Sequence, residues 1–243
     1  MKPQYKYLLR IAIDTARLAG KFLSDNKSVK IISENKRDIK LNVDFKSESI
    51  IFKKLLKHYP ILSEESGGVL SDESPIWIVD PLDGTFNYSR KIPLSCISIA
   101  LWNKKKPVLG VIYDFTRNEL FSGIVGFGAK LNEKKIKVSK IKKKSKSIIF
   151  TGFPVEFSLT KKNLKKFIGL AQDYKKIRLI GSAALSLAYV ASGRAEVYVE
   201  KYIKIWDVAA GLALVKAAGG FYEFSNINNN FNVYASNVPL KNK

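Results

Sequence analysis

Trp77-Ile78-Val79-Asp80-Pro81-Leu82-Asp83-Gly84-Thr85-Phe86-Asn87-Tyr88 joins an apolar run to two carboxylates, and the reading of the whole chain turns on it. Ile76 to Val79 is short, apolar and bounded by Asp80-Pro81, which predicts a buried strand that ends at a turn. Asp80 and Asp83 follow at the exit of that strand. Gly84, without a Cβ, lets the backbone approach a ligand closely, and Thr85 adds a hydroxyl beside the second carboxylate. Hard divalent cations take several oxygen ligands, and such a turn offers side-chain carboxylates and a free carbonyl such as that of Leu82. A helix or tight turn starting near Gly84 would aim unpaired N–H groups at an anion in the same place. Metal together with phosphate is one reading; an ordinary surface turn is the other, since Asp, Pro and Gly are all frequent turn residues.

The 243 residues can hold one large domain or two intimate small ones, and a hydrophobic share of 46% supplies a full core. The apolar runs fall well short of the about 20 residues of a membrane span. Met1 to Leu9 has no long apolar segment after a basic start, so no secretory signal is expected. The single cysteine, Cys96, excludes an internal disulfide framework and fits a reducing compartment, so a cytoplasmic protein without membrane association is expected. Within Leu94 to Leu101 Cys96 reads as a small core hydrophobe. A net charge of +21, carried mostly by lysine, would attract nucleic acid, an anionic surface or an anionic substrate alike. There is little interleaving of arginine with aromatics and no nucleic-acid motif, so a solvated Lys-rich surface is preferred and nucleic-acid binding is the less favoured alternative.

Outward from the central stretch, Tyr5 to Ser24 has the apolar spacing of a one-faced helix, and Asn26 to Lys40 reads as a loop or short hairpin. A second helix follows Asn42-Val43-Asp44, with Asp44 placed to cap its start or to serve a site. Glu64-Glu65 closes a short apolar stretch before a Gly turn, and a surface acidic pair accounts for it equally well. Cys96 to Leu101, Val108 to Tyr113, Glu119 to Val125 and Ala129 to Leu131 predict an antiparallel meander. Lys134 to Ser147 reads as a basic connector. Strands at Ile148 to Gly152, Ile177 to Ile180 and Glu196 to Glu200 then alternate with helices near Thr160 to Gln172, from Ala183, and over Val208 to Ala218. Asp207 falls at the start of the last helix, where an acid is stabilised in any case. The expectation is a single domain over 1–243 with a possible subdomain seam near 140–147.

Taken in order, Asn42-Val43-Asp44, Glu64-Glu65-Ser66, Asp80-Pro81-Leu82-Asp83-Gly84-Thr85, Gly181-Ser182-Ala183, Trp206-Asp207-Val208-Ala209-Ala210-Gly211 and Ala218-Gly219-Gly220 closely resemble the motifs of the inositol monophosphatase family. The resemblance runs from the first helix to about Ser236. It implies an α/β/α/β/α sandwich and a lithium-sensitive, Mg²⁺-dependent phosphomonoesterase. By the same resemblance Glu64, Asp80, the Leu82 carbonyl, Asp83 and Asp207 hold the metals. Glu64 and Thr85, the latter paired with Asp44, orient and deprotonate a metal-activated water. Phosphate rests on the metals and on the N–H groups near Gly84 and Thr85, and Asp83, Ala183 and Glu200 meet the substrate. That scheme agrees with elementary chemistry: metal coordination lowers the pKa of water toward ~7, and four clustered carboxylates would repel one another without cations.

The chain departs from the family pattern in places. Leu41 stands where the family has a threonine before Asn42-Val43-Asp44, Lys36 is near but not at the usual place of a metal-associated lysine upstream of Asp38, and a closing helix after Ala235-Ser236-Asn237 is expected to be short or missing. Asn87 resembles the branch acting on inositol phosphates, so a small sugar or polyol phosphate such as inositol 1-phosphate is the expected substrate. The alternatives are 3′(2′),5′-bisphosphate nucleotides, histidinol phosphate, fructose 1,6-bisphosphate or NADP, and, in another class, an RNA- or transcription-associated binding role. A homodimer is implied by resemblance alone.

Overall fold

The computed structural model describes residues 3–26, 28–35, 39–70, 73–153, 158 and 160–238. Lys36 and Asp38 lie outside the described residues. The helices are α1 (Pro3–Asp25), α2 (Asn42–Leu55), α3 (Thr85–Ser89), α4 (Lys161–Asp173), α5 (Ala183–Ala191) and α6 (Ile205–Ala217). A short antiparallel hairpin, β1 (Ile31–Glu34) and β2 (Ile39–Leu41), leads into α2.

A seven-stranded sheet comprises β3 (Ile61–Ser63), β4 (Ile76–Asp83), β5 (Cys96–Asn103), β6 (Lys106–Asp114), β7 (Glu119–Ile124), β8 (Gly128–Leu131) and β9 (Lys134–Ile136), neighbours in chain order. Only β3–β4 is parallel; the rest is the expected meander. A second sheet has the order β11 (Lys176–Arg178), β10 (Ile148–Phe150), β12 (Val197–Ile203), β14 (Asn230–Ser236), β13 (Phe221–Ile227).

Period-2 alternation sends each strand of the large sheet to two cores. Trp77, Val79, Ile97, Ile99, Leu109 and Val111 pack against Leu8, Ala12, Ala16 and Leu23 of α1. Ile78, Ala100, Trp102 and Ile112 face the opposite way, onto α5 and α6, whose far side meets Tyr198, Phe231 and Val233 of the second sheet. Tyr174 and Leu170 cover the outer face of that sheet at Ile149 and Val197. The result is five layers, α/β/α/β/α. The helices α5 and α6 are apolar all round because both faces are covered.

Two sequence-based expectations are corrected, and one hairpin is added to them. The strand predicted to stop at Asp80-Pro81 runs on to Asp83. Asp80 pairs with Ser98 and Asp83 with Cys96, so Pro81 and Leu82 together oppose Ile97 alone. This is a β-bulge, a position that tolerates proline because no ladder N–H is required there. The basic connector expected over Lys134 to Ser147 begins with strand β9. Asn132 and Glu133 both take positive φ, 44° and 66°, and join Leu131 to Lys134 as a two-residue hairpin turn. The lysines hid that alternation. The hairpin β13–β14 has no counterpart among the expectations, although Asn228-Asn229, with φ of 51° and 63°, is a recognisable turn of the same kind.

The middle layer is tightly seated. A Cβ added at Gly110 in β6 would run into the carbonyl oxygen of Ala210 in α6. Gly110→Ala is expected to destabilise the protein by about 1–3 kcal/mol, because neither the helix backbone nor the central strand can yield cheaply. Thermal unfolding checks this, and a melting temperature within a degree of the parent would show that the layers can part.

Candidate metal and phosphate site

The bulge in β4 builds the site. On a regular strand Asp80 and Asp83, three residues apart, would point to opposite faces; the extra residue brings both to the α5/α6 side. Leu82 stays on the α1 side, fully buried among Val79 and Ile97. Leu82 N–H donates back to Asp80 Oδ1 at 2.9 Å, and the Ser47 hydroxyl of α2 holds the Pro81 carbonyl at 2.8 Å. These bonds fix the bulge from both sides.

Beyond it, Gly84 takes φ 82° and opens α3. Thr85 Oγ1 donates to the Leu82 carbonyl at 2.8 Å. Asn87 Nδ2 reaches Leu94 O at 2.9 Å and Ile180 O at 2.8 Å, tying α3 to the loop that leads into α5. At the start of α5, Ser182 donates its hydroxyl to Asp83 Oδ2 and Ala184 N–H adds a 3.0 Å bond to the same oxygen.

Glu64 follows β3 in a turn whose ends, Ser63 and Gly67, exchange two backbone hydrogen bonds of 3.0 Å. Glu48 of α2 braces this turn by accepting from Ser66 N–H at 3.1 Å and from its hydroxyl at 2.5 Å. Lys40 clasps Glu65 at 2.7 Å. Asp207 lies in the first turn of α6 and accepts from Lys204 N–H at 3.2 Å. A carboxylate there is favoured by the helix dipole.

Glu64, Asp80, Leu82, Asp83 and Asp207 all line one cavity of ≈ 160 Å³, together with Gly84, Thr85, Phe86 and Gly181. Four carboxyl groups share it, and among the described residues no basic side chain lies on its wall. Burial raises Asp80 well above the ordinary carboxylate range, and the charges of Glu64, Asp83 and Asp207 raise it further. Asp207 is raised by burial and then by Glu64, Asp83 and Glu200. Burial takes Asp83 up to about 6 against the pull of Ser182 and Ala184. Among the described residues no three His, Cys, Asp or Glu side chains already stand at a spacing that would hold an ion. The fit to a metal therefore rests on donor chemistry. An all-oxygen set of carboxylates and a carbonyl suits Mg²⁺ or Ca²⁺ rather than a softer metal, and cations would relieve the mutual repulsion.

The remaining expected residues fall elsewhere. Asp44 is buried at the third residue of α2, where its Oδ2 accepts from Leu41 N–H at 2.6 Å, so capping is the work visible for it. Leu41, in place of the family's threonine, is fully buried and leaves the capping to Asp44. Ala183 is the first residue of α5, next to the amide that binds Asp83. Glu200 is buried, accepts from the Tyr198 hydroxyl at 2.9 Å, and is raised to about 7, chiefly by burial. Neither Ala183 nor Glu200 is on the wall of the carboxylate cavity. Sequence reasoning missed Ser182 as the partner of Asp83 and Glu48 as the brace of the Glu64 turn. Ser182 at a helix N-cap was the one available signal. Cys96, expected as a core hydrophobe, is fully buried and also lies 3.6 Å from Asp83 Oδ2.

A five-layered chain whose strand β4 bulges into a cavity shared by four carboxyl groups defines a class, that of layered α+β proteins with an acidic site at the edge of the middle helical layer. Within it, the chain belongs to the inositol monophosphatase family, whose model matches residues 4–239. It is 42% identical over 224 residues to the Nus factor SuhB of Xylella fastidiosa, covering 90% of this chain and 81% of that one. The solved inositol monophosphatase of Anabaena (Nostoc) sp. PCC 7120 superposes with a TM-score of 0.86 at 36% identity, over 97% of this chain and 92% of that one. The extragenic suppressor protein suhB of Bartonella henselae gives the same TM-score at 33% identity, over 95% and 93%. Among the described residues no helix is long and apolar enough to cross a membrane.

Proposed function

We propose that the protein is a Mg²⁺-dependent phosphomonoesterase acting on a small sugar or polyol phosphate, with inositol 1-phosphate as its leading substrate. The observation that carries this reading is the convergence of Glu64, Asp80, Leu82, Asp83 and Asp207 on one cavity beside Gly84 and Thr85. Bound Mg²⁺ would neutralise phosphoryl oxygens, acidify a water and stabilise the leaving oxygen. In this reading Asp80, Asp83, Asp207, Glu64 and the Leu82 carbonyl hold the cations. Glu64 and Thr85 orient the attacking water on the side of β3, with Asp44 holding the start of α2 behind them. The backbone N–H groups at Gly84 and Thr85 receive the phosphate. Glu200, whose carboxyl titrates near neutrality, and the backbone at Ala183 receive the hydroxyls of the leaving alcohol. A buried carboxyl near its pKa can both donate to and accept from a hydroxyl.

The test is phosphate release from inositol 1-phosphate, histidinol phosphate, fructose 1,6-bisphosphate, NADP and 3′-phosphoadenosine 5′-phosphate, each with Mg²⁺ and with added Li⁺. Fastest release from inositol 1-phosphate, suppressed by Li⁺, is expected. Preference for another of these phosphates would keep the phosphatase and move its substrate; silence with all of them would refute the reading.

A second role is favoured by a separate observation. The relative from Xylella carries the name Nus factor, and this chain's +21 suits a nucleic-acid complex. Such a role would coexist with the carboxylate site. It predicts RNA binding that weakens steeply with salt and survives loss of Asp83. Absence of RNA binding at physiological salt would remove it.

A further inference from the structure

A second concavity lies away from the carboxylate cavity and shares no wall residue with it: a groove of ≈ 1020 Å³ along the β7–β9 end of the large sheet. Its floor is apolar. Leu9 and Ile13 of α1, Ile124 at the end of β7, and Ile136 and Val138 at and beyond β9 line it, with Phe127 standing exposed at one side. Its rim is basic. Among the described residues six lysines line the groove against one acidic residue, Glu133, which Lys130 already pairs at 2.8 Å. The others include Lys6 on α1 and Lys135, Lys137, Lys140 and Lys142 on β9 and the segment after it, all exposed. Beside this groove runs β9, the edge strand of the seven-stranded sheet.

We propose that this groove binds an extended acidic peptide segment of a partner protein, which adds to the β9 edge as a further strand. An edge strand offers a row of backbone donors and acceptors that an incoming strand can complete. Alternate side chains of such a strand point one way, so apolar residues on one face would enter the floor between α1 and β9. Acidic residues on the other face and at the flanks would meet the lysines, whose net positive field selects against basic segments. The shape argues against the other polyanions. A flat anionic bilayer cannot follow a concave groove, and single-stranded nucleic acid would want aromatic stacking platforms where the floor is aliphatic apart from Phe127. This inference does not depend on the phosphatase reading.

The experiment selects peptides from a random displayed library on the full-length protein, with counter-selection on the variant Lys135→Glu/Lys137→Glu/Lys140→Glu. All three positions are exposed, so the variant is expected to fold and to keep the phosphatase activity of the parent. The enriched peptides should be net acidic with apolar residues at alternate positions. By fluorescence polarisation a selected peptide should bind the variant at least tenfold more weakly than the parent. Hydrogen exchange should show protection on binding of the amides of Lys135 and Lys137, which face away from β8 in the β8–β9 register. No enrichment, or peptides without acidic residues, would overturn the proposal. So would protection elsewhere on the molecule, or a single-stranded RNA that binds this face more tightly than any selected peptide and is lost in the same variant.

Discussion

Asp83→Asn should lower Mg²⁺-dependent phosphate release by on the order of 10³-fold or more while the protein stays folded. The substitution removes one of four carboxylates from the cavity and with it the charge that would hold a cation on the α5 side. The amide oxygen can still accept from Ser182 and from Ala184 N–H, so the link between the bulge and α5 persists. Far-ultraviolet circular dichroism and a melting temperature at or above that of the metal-free parent check the fold. Activity within tenfold of the parent, measured with the preferred phosphate, would mean that the cavity is not the catalytic centre.

The metal-free protein should lose stability as pH rises from about 4 to about 7.5, and Mg²⁺ should restore it. The sign follows from the direction of the shifts. Asp83 is raised from 3.8 to about 6 and Glu200 from 4.5 to about 7, so in this interval the folded chain binds more protons than the unfolded one. A raised carboxyl contributes its full stability below the unfolded pKa and loses it as pH climbs through the folded value. Each of the two is worth on the order of 3 kcal/mol across that window, and their proximity keeps the two from simply adding. Asp80 and Asp207 act in the same direction. A cation that binds only the folded, ionised site offsets this by mass action. Thermal melts in chelator from pH 4.5 to 8, repeated with Mg²⁺ at pH 7.5, measure both effects. A melting temperature that climbs through the interval in chelator, or one indifferent to Mg²⁺ at pH 7.5, would refute the linkage. Asp83→Asn should flatten the chelator curve.

Much of the architecture was legible because local chemistry and tertiary packing agree. The one-faced spacing of α1, the meander from Cys96 to Leu131 and the alternation of strand and helix after Ile148 each bury the face that their period displays. Two hairpins escaped for a local reason. Asn132-Glu133 and Asn228-Asn229 adopt left-handed turns without glycine, and lysine or asparagine at the flanks obscures the alternation of their strands.

By itself, then, the sequence determined the kinds of group available: a series of carboxylates in a fixed order, a core divided between apolar helices and strands, and a surface rich in lysine. Only the tertiary structure decided which of those groups meet. Glu64 and Asp207 are separated from Asp80 by long stretches of chain, and only the parallel pairing of β3 with β4 and the seating of α6 across the sheet bring them to one cavity. The bulge is the sharpest case. Residues 80 and 83 would face apart on any regular strand, and the pairing of two residues against Ile97 of the neighbouring strand is what turns both carboxylates inward. Periodicity within one segment cannot encode that, because a bulge is defined by the register between two strands.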